Sequence, residues 1–141
     1  MAYSFPEELR ALLSMSAPSP TDFCQLEREH IGWDHAAIGA HYLARHQISE
    51  EIIFAVRYHN SPDLAPRHGM FPAAVQIADH LVRHLGISGG FEKVGTVADD
   101  VWLSLPGWQI LFGSSGTESG LARASIANSL QKLPSMLQGL V

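Results

Sequence analysis

An all-α domain of about six to eight helices is the fold class this sequence predicts, and three observations predict it. Apolar residues recur at three- and four-residue spacing in one segment after another. Capping and stop residues punctuate those segments at helical lengths. No period-2 run of Val, Ile or Thr bounded by a two-residue turn occurs anywhere.

The elements follow in order. Residues 5–15 open with Pro6, then Glu7 and Glu8, where the positive end of a helix dipole favours acids. Ser19-Pro20-Thr21-Asp22 starts a second helix carrying Phe23, Leu26 and His30, and Gly32 stops it. Asp34 can cap a third, with Ala37, Ile38, Tyr42 and Ala44 forming its apolar stripe. Ser49-Glu50-Glu51 starts a fourth, with Ile52, Ile53 and Val56, and Ser61-Pro62 closes it near Asn60. Residues 61–70 read as a surface loop. From Phe71-Pro72 a fifth helix runs to about Leu85, its inner face made by Val75, Ala78, Leu81 and Val82, until Gly86, Gly89 and Gly90 break it. Residues 98–113 suggest two short helices hinged at Pro106-Gly107. After a linker at 114–117, residues 118–133 form a last amphipathic helix with Leu121, Ile126, Leu130 and Leu133 as core, bent or ended by Pro134.

The 141 residues predict one domain, 1–141, large enough for a real core. Apolar residues make up 46% and charged residues 16% of the chain. That balance excludes a disordered chain. A net charge of −5 leaves no basic footprint for nucleic acid or an anionic membrane. Cys24 is the one cysteine, so no intrachain disulfide exists and a reducing cytoplasm is the expected setting. The sequence contains neither a secretory leader nor an apolar run of transmembrane length.

Eight histidines ask for an explanation. Imidazole and carboxylate suit zinc, iron and manganese, and three such groups must converge to hold an ion. His35 starts the third helix, His59 ends the fourth, and Asp79 sits mid-way along the fifth. A short connection could bring the two histidines to one end of a helix pair. The same three residues could equally be hydrogen-bonded polar groups at helix junctions, and spacing alone favours that. His80 and His84 share a helix face beside Arg83 and read as solvated. Glu27-Arg28-Glu29-His30 is a single Glu-x-x-His, where a di-iron bundle needs two. His41, Arg45 and His46 read as the polar side of the third helix, and His68 as a solvated loop residue. Trp33 and Tyr58 flank the candidate site and are expected to pack in the core. Trp102, Trp108 and Phe112 likewise read as core, and Cys24 as an ordinary buried thiol. Gly113-Ser114-Ser115-Gly116 does not match the Gly-x-Ser-x-Gly elbow, and no nucleotide-binding glycine loop is present.

Three ordered blocks carry a resemblance. Leu26–Ala40, with Glu27 upstream of Asp34-His35-Ala36-Ala37-Ile38-Gly39, resembles the acidic residue, spacer and Asp-His-x-x-x-Gly pattern of the HDOD domain, an HD-related output domain of bacterial signalling proteins. Gln47–Pro62 is similar to that family's next helix, with Ile48-Ser49 in place of the usual Leu-Pro and His59 near Pro62. Val75-Gln76-Ile77-Ala78-Asp79 is similar to the hydrophobic-x-x-Ala-Asp helix that follows. The resemblance implies an HD-superfamily-like helical bundle. It also aligns His35, His59 and Asp79 with the later metal ligands of catalytic relatives. The His-Asp dipeptide that names the superfamily is absent, as is the Gly-Tyr-Pro signature of cyclic-di-GMP enzymes. Too little chain precedes His35 for the whole upstream bundle of such a domain, so the chain reads as its C-terminal half.

The resulting expectation is a non-catalytic bacterial signalling or regulatory module. It would act through helix-mediated contacts with a protein partner or a second copy, without nucleic acid or membrane. His35, His59 and Asp79 would be a vestigial or weak metal set, with no cofactor required. The alternative is a metal-dependent phosphohydrolase of HD type acting on a nucleotide or cyclic dinucleotide, using a divalent ion on the same three residues together with Glu27 or His80. A third reading, a ligand-sensing bundle with a pocket near Trp33 and Tyr58, rests on no motif.

Overall fold

A computed structural model describes residues 6–14, 20–84, 101–113 and 117–137. Among them are seven α-helices and no strand: α1 (Pro6–Ser14), α2 (Pro20–Ile31), α3 (His35–Arg45), α4 (Glu50–Tyr58), α5 (Met70–His84), α6 (Pro106–Phe112) and α7 (Thr117–Leu137). The all-helical expectation holds. The helix breaks expected at Gly86, Gly89 and Gly90, and the linker residues 114–116, lie outside the described residues. No helix among the described residues is long and apolar enough to cross a membrane.

Local chemistry explains the boundaries. Gly32 leaves α2 in the left-handed region, φ 86°, and its N–H returns to the Arg28 carbonyl at 3.0 Å. Glycine meets no Cβ penalty in that conformation. Two residues later the Asp34 side chain accepts the Ala37 N–H at 2.7 Å. This N-cap starts α3. Ser49 occupies the N-cap of α4 without a side-chain capping bond, its carbonyl receiving Ile52 and Ile53. The loop read over 61–70 contains a 3-10 turn, Pro62–Leu64, whose Pro62 is buried.

The structure corrects several sequence readings, Ile52 of the α4 stripe among them, which is 51% exposed. On α3 the buried residues are Ala36, Ala37 and Ala40, whereas Tyr42 is exposed and stacks on His46 at 4.3 Å, and Ala44 is exposed. Small residues win this face because α4 comes close: a Cβ on Gly39 would stand 3.0 Å from Val56 Cγ1. A close-packed interface leaves no room for more. On α5 the buried face is Pro72, Ala73, Gln76 and Ile77, leaving Val75 and Ala78 outward. The inward glutamine hid this face from a search for apolar spacing. On α7 Leu121 is 66% exposed, and Ala122 and Ile126 pack inward instead. Leu121 lies one position, about 100°, off that stripe. Pro134 does not end α7, which continues to Leu137.

The core cluster joins Ile77, Trp102 and Trp108, with Leu81, Leu103, Leu105, Leu111, Phe112, Ala122 and Ile126 around it. Trp102 and Trp108 meet edge to face at 4.8 Å, so both tryptophans are core as expected. Aromatic quadrupoles favour that geometry. Trp108 Nε1 donates to Ser119 Oγ at 3.1 Å, linking α6 to α7.

Gln76 ties this core to the end of α4. Its Oε1 accepts the Gly107 N–H at 2.8 Å, and its Nε2 donates to the Asn60 carbonyl at 3.3 Å. A Cβ at Gly107 would approach Ala73 O and Gln76 Oε1, each at 2.8 Å. Gly107→Ala should therefore cost roughly 1–3 kcal/mol in urea denaturation. At Gly120 on α7 a Cβ would meet open space. Gly120→Ala should be neutral or stabilising by up to about 1 kcal/mol.

Candidate functional site

Glu27 is the element from which the site grows. It lies on the buried stripe of α2, four residues after Phe23 and three after Cys24. It is 1% exposed. A carboxylate so buried demands a partner. That partner is His35, whose backbone N–H and ring Nδ1–H both donate to Glu27 Oε2, at 3.0 and 2.6 Å. The tight turn at Gly32 and the Asp34 cap place the start of α3 back over α2, so one oxygen receives both donors.

His35 then reaches α4. Its Nε2 stands 3.3 Å from His59 Nε2. His59 is oriented from its other side, where Nδ1–H donates to the Val56 carbonyl at 2.8 Å. That leaves His59 Nε2 as an acceptor, and Asn60 Nδ2 donates to it at 3.0 Å. Asn60 Nδ2 also lies 3.2 Å from Cys24 Sγ, which is itself 4.0 Å from His35 Nδ1. One proton assignment satisfies the whole chain: His35 as imidazolium, donating to Glu27 and to neutral His59.

The electrostatics agree. Burial opposes charge on His35, but the Cys24 sulfur and the Glu27 carboxylate outweigh it, and the pKa rises from 6.5 to about 10. Burial lowers the pKa of His59, which the neighbouring His35 charge lowers further, against its bond to Val56. At Asp34 burial pushes the carboxyl upward, but the Ala37 N–H and the Arg28 guanidinium hold it below the usual range.

The structure thus brings His35 and His59 together. It places Asp79 on α5, where Oδ2 pairs with Arg83 Nε at 2.9 Å. The two residues lie one turn apart on the same helix. Among the described residues, the group whose ligand atoms all lie within 4.8 Å of one another is Cys24, Glu27 and His35. Both imidazoles are held at Nδ1, the arrangement by which second-shell groups aim Nε2 at an ion. Two nitrogens bound to one tetrahedral ion at about 2.0–2.1 Å would stand about 3.3 Å apart, so the pair fits a metal. Two imidazoles remain one protein ligand short of the three that a catalytic ion usually keeps.

Other sequence readings come out mixed. Trp33 is 61% exposed, so it is not core. Tyr58 is half-buried against Phe54, edge to face at 5.6 Å. His30 is exposed and bonds the Leu26 carbonyl, so the Glu-x-x-His pair is not a pair in space. His80 is half-buried, its Nδ1–H on the Gln76 carbonyl at 3.0 Å, rather than solvated. His68 is half-buried too, in a left-handed conformation, with Nε2 3.2 Å from Glu50 Oε2. His41 and His46 lie on the exposed side of α3 as expected. Sequence reasoning missed Glu27 as the partner of His35, although its position on the Phe23–Cys24 stripe was the available signal. It missed Asn60 because an asparagine after a helix reads as a terminator.

The described residues thus form an all-helical arrangement in which a His pair is buttressed by an upstream carboxylate. The family model of the HDOD domain matches residues 1–62, so this segment is similar to that domain. It lies in the N-terminal part of the chain and includes Glu27, His35 and His59 but not Asp79, whereas the sequence reading took all of 1–141 as the C-terminal half of such a domain. Comparison with curated proteins and with solved structures returns no match.

The two histidines set opposite limbs of the stability profile. The native state holds the His35 proton more tightly than the unfolded chain, so that contribution is complete below pH 6.5 and is lost as pH rises through about 10. His59 acts in the other direction, favouring the native state above 6.5 and losing that preference as pH falls below it. Thermal midpoints should therefore fall between pH 6.5 and about 10, and the slope should shrink in Glu27→Gln.

Proposed function

We propose that the chain, read as one HDOD-like domain over 1–141, is a non-catalytic signalling or regulatory module of bacterial, cytoplasmic type. The observation that carries this reading is the engagement of Asp79 by Arg83 on its own helix. With Asp79 so engaged, an ion held by His35 and His59 would lack the third ligand that the resemblance aligns with them. The HDOD match supports the signalling role. In this reading the Glu27–His35–His59 chain is a structural strut that joins α2, α3 and α4.

Such a module acts by contact. Trp33, Ile52, Leu64, Met70, Phe71 and Val75 are large apolar residues left exposed, which supports a protein partner or a second copy. Sedimentation should show self-association that grows with concentration, and a clean monomer at high concentration would count against contact with a second copy.

The two Nε2 atoms lie 3.3 Å apart. That separation favours a second reading, a metal-dependent phosphohydrolase acting on a nucleotide or cyclic dinucleotide. His35 and His59 would hold the divalent ion, with Asp79 as third ligand once released from Arg83. Metal content decides between the two. Protein purified without chelator should carry well under one equivalent. Stoichiometric metal, lost together in His35→Ala and His59→Ala, would favour the hydrolase reading instead. Any ion bound there must displace the His35 proton, so its apparent affinity should rise by about tenfold per pH unit from neutrality upward.

A further inference from the structure

Beside the histidine pair, a cleft of about 170 Å³ opens between α2, the start of α3 and the end of α4. Arg28, Asp34, Arg57, Tyr58, Asn60 and Ser61 are among its lining residues. Two guanidinium groups thus face one carboxylate, an excess of positive charge in a chain of net charge −5. Asp34 is already committed. Its Oδ2 lies 2.5 Å from Arg28 Nη1, and its Oδ1 accepts the Ala37 N–H at 2.7 Å. Arg57 Nη1 is held only loosely, 3.9 Å from that same Oδ1. Each guanidinium carries five N–H donors in a rigid fork. Asp34 engages one nitrogen of each. Both arginine side chains remain about half open to solvent, so an incoming ligand can reach them.

We propose that this cleft binds a compact tetrahedral oxyanion of the phosphate type, gripped between Arg28 and Arg57. The donors come from three elements: Arg28 from α2, Arg57 from α4, and the Ser61 hydroxyl from the turn beyond. Donors converging from several sides match an anion with acceptors on every side, whereas a planar carboxylate presents two oxygens. The volume is several times the roughly 30 Å³ of one water, enough for such an ion with part of its hydration. Asp34 preorganises Arg28, so little side-chain freedom is lost when the anion arrives. The site uses neither His35 nor His59, goes beyond the signalling role, and stands without it.

The test is a titration of the whole chain with inorganic phosphate, with acetate at matched ionic strength as the second arm, read by amide and arginine Nε–H chemical shifts. Phosphate should give saturable shifts at Arg28, Arg57 and Asn60, and acetate should bind at least about tenfold more weakly. Arg57→Gln should weaken phosphate by about tenfold or more, with its far-UV circular dichroism unchanged. Arg67→Gln, on a cation that does not line the cleft, should leave the affinity as it was. Phenyl phosphate binding more tightly than inorganic phosphate would identify an ester as the source, and the reverse order the free ion. Non-saturating shifts, equal response to acetate, or undiminished affinity in folded Arg57→Gln would overturn the proposal.

Discussion

A carboxylate with 1% exposure, Glu27, sets the terms for the N-terminal half of this protein. Removing it from water costs several kcal/mol unless donors replace the lost hydration. Both replacement donors belong to one residue, His35, through its backbone and its ring. The start of α3 is thereby fixed against α2, and the His35 ring cannot rotate without abandoning a buried charge. His59 inherits its position from that constraint, since its Nε2 accepts from a ring that is itself immobile. The result is a polar spine running through three helices, with the backbone carbonyl of Val56 at its far end.

Gln76 performs the corresponding task further along the chain. It is a buried amide that satisfies the Gly107 N–H and the Asn60 carbonyl at once. Asn60 therefore belongs to both systems: its side chain touches His59 and Cys24, and its carbonyl receives Gln76. The tryptophan-rich core around Trp108 and the polar spine around His35 meet at this one turn. Two hydrogen bonds from Gln76 thus connect α6 with the turn beside the histidine pair and the arginine-lined cleft.

Elements marked by covalent chemistry were legible in the sequence. Gly32 and Asp34 announced the α2–α3 corner because few residues adopt φ 86°, and few offer a side chain that caps three residues ahead. His35 and His59 were legible as a pair because a short loop returns α4 along α3. Faces were harder to read. The inner face of α5 includes a glutamine and that of α3 is alanine, so a search for large apolar residues selects Val75 and Tyr42, which lie outside. Asp79 was legible as a mid-helix residue of α5, but its pairing with Arg83 depends on a local helix contact that spacing allows and does not require. Glu27 was hidden in a different way. The sequence marked it as the acidic residue upstream of Asp34-His35, but only burial shows that it pairs with the residue eight positions ahead.

The closeness of α3 and α4 acts as a gauge. Where Gly39 lies against Val56, the clearance is a hydrogen atom rather than a methyl group. Val56 also supplies the carbonyl that steadies the His59 ring. The gap between the two rings is thus metered by the smallest side chain in the alphabet, a turn away from the chemistry. A methyl group at that position would crowd Val56 by a few tenths of an ångström, and the strain would fall on the residue whose carbonyl holds the His59 ring.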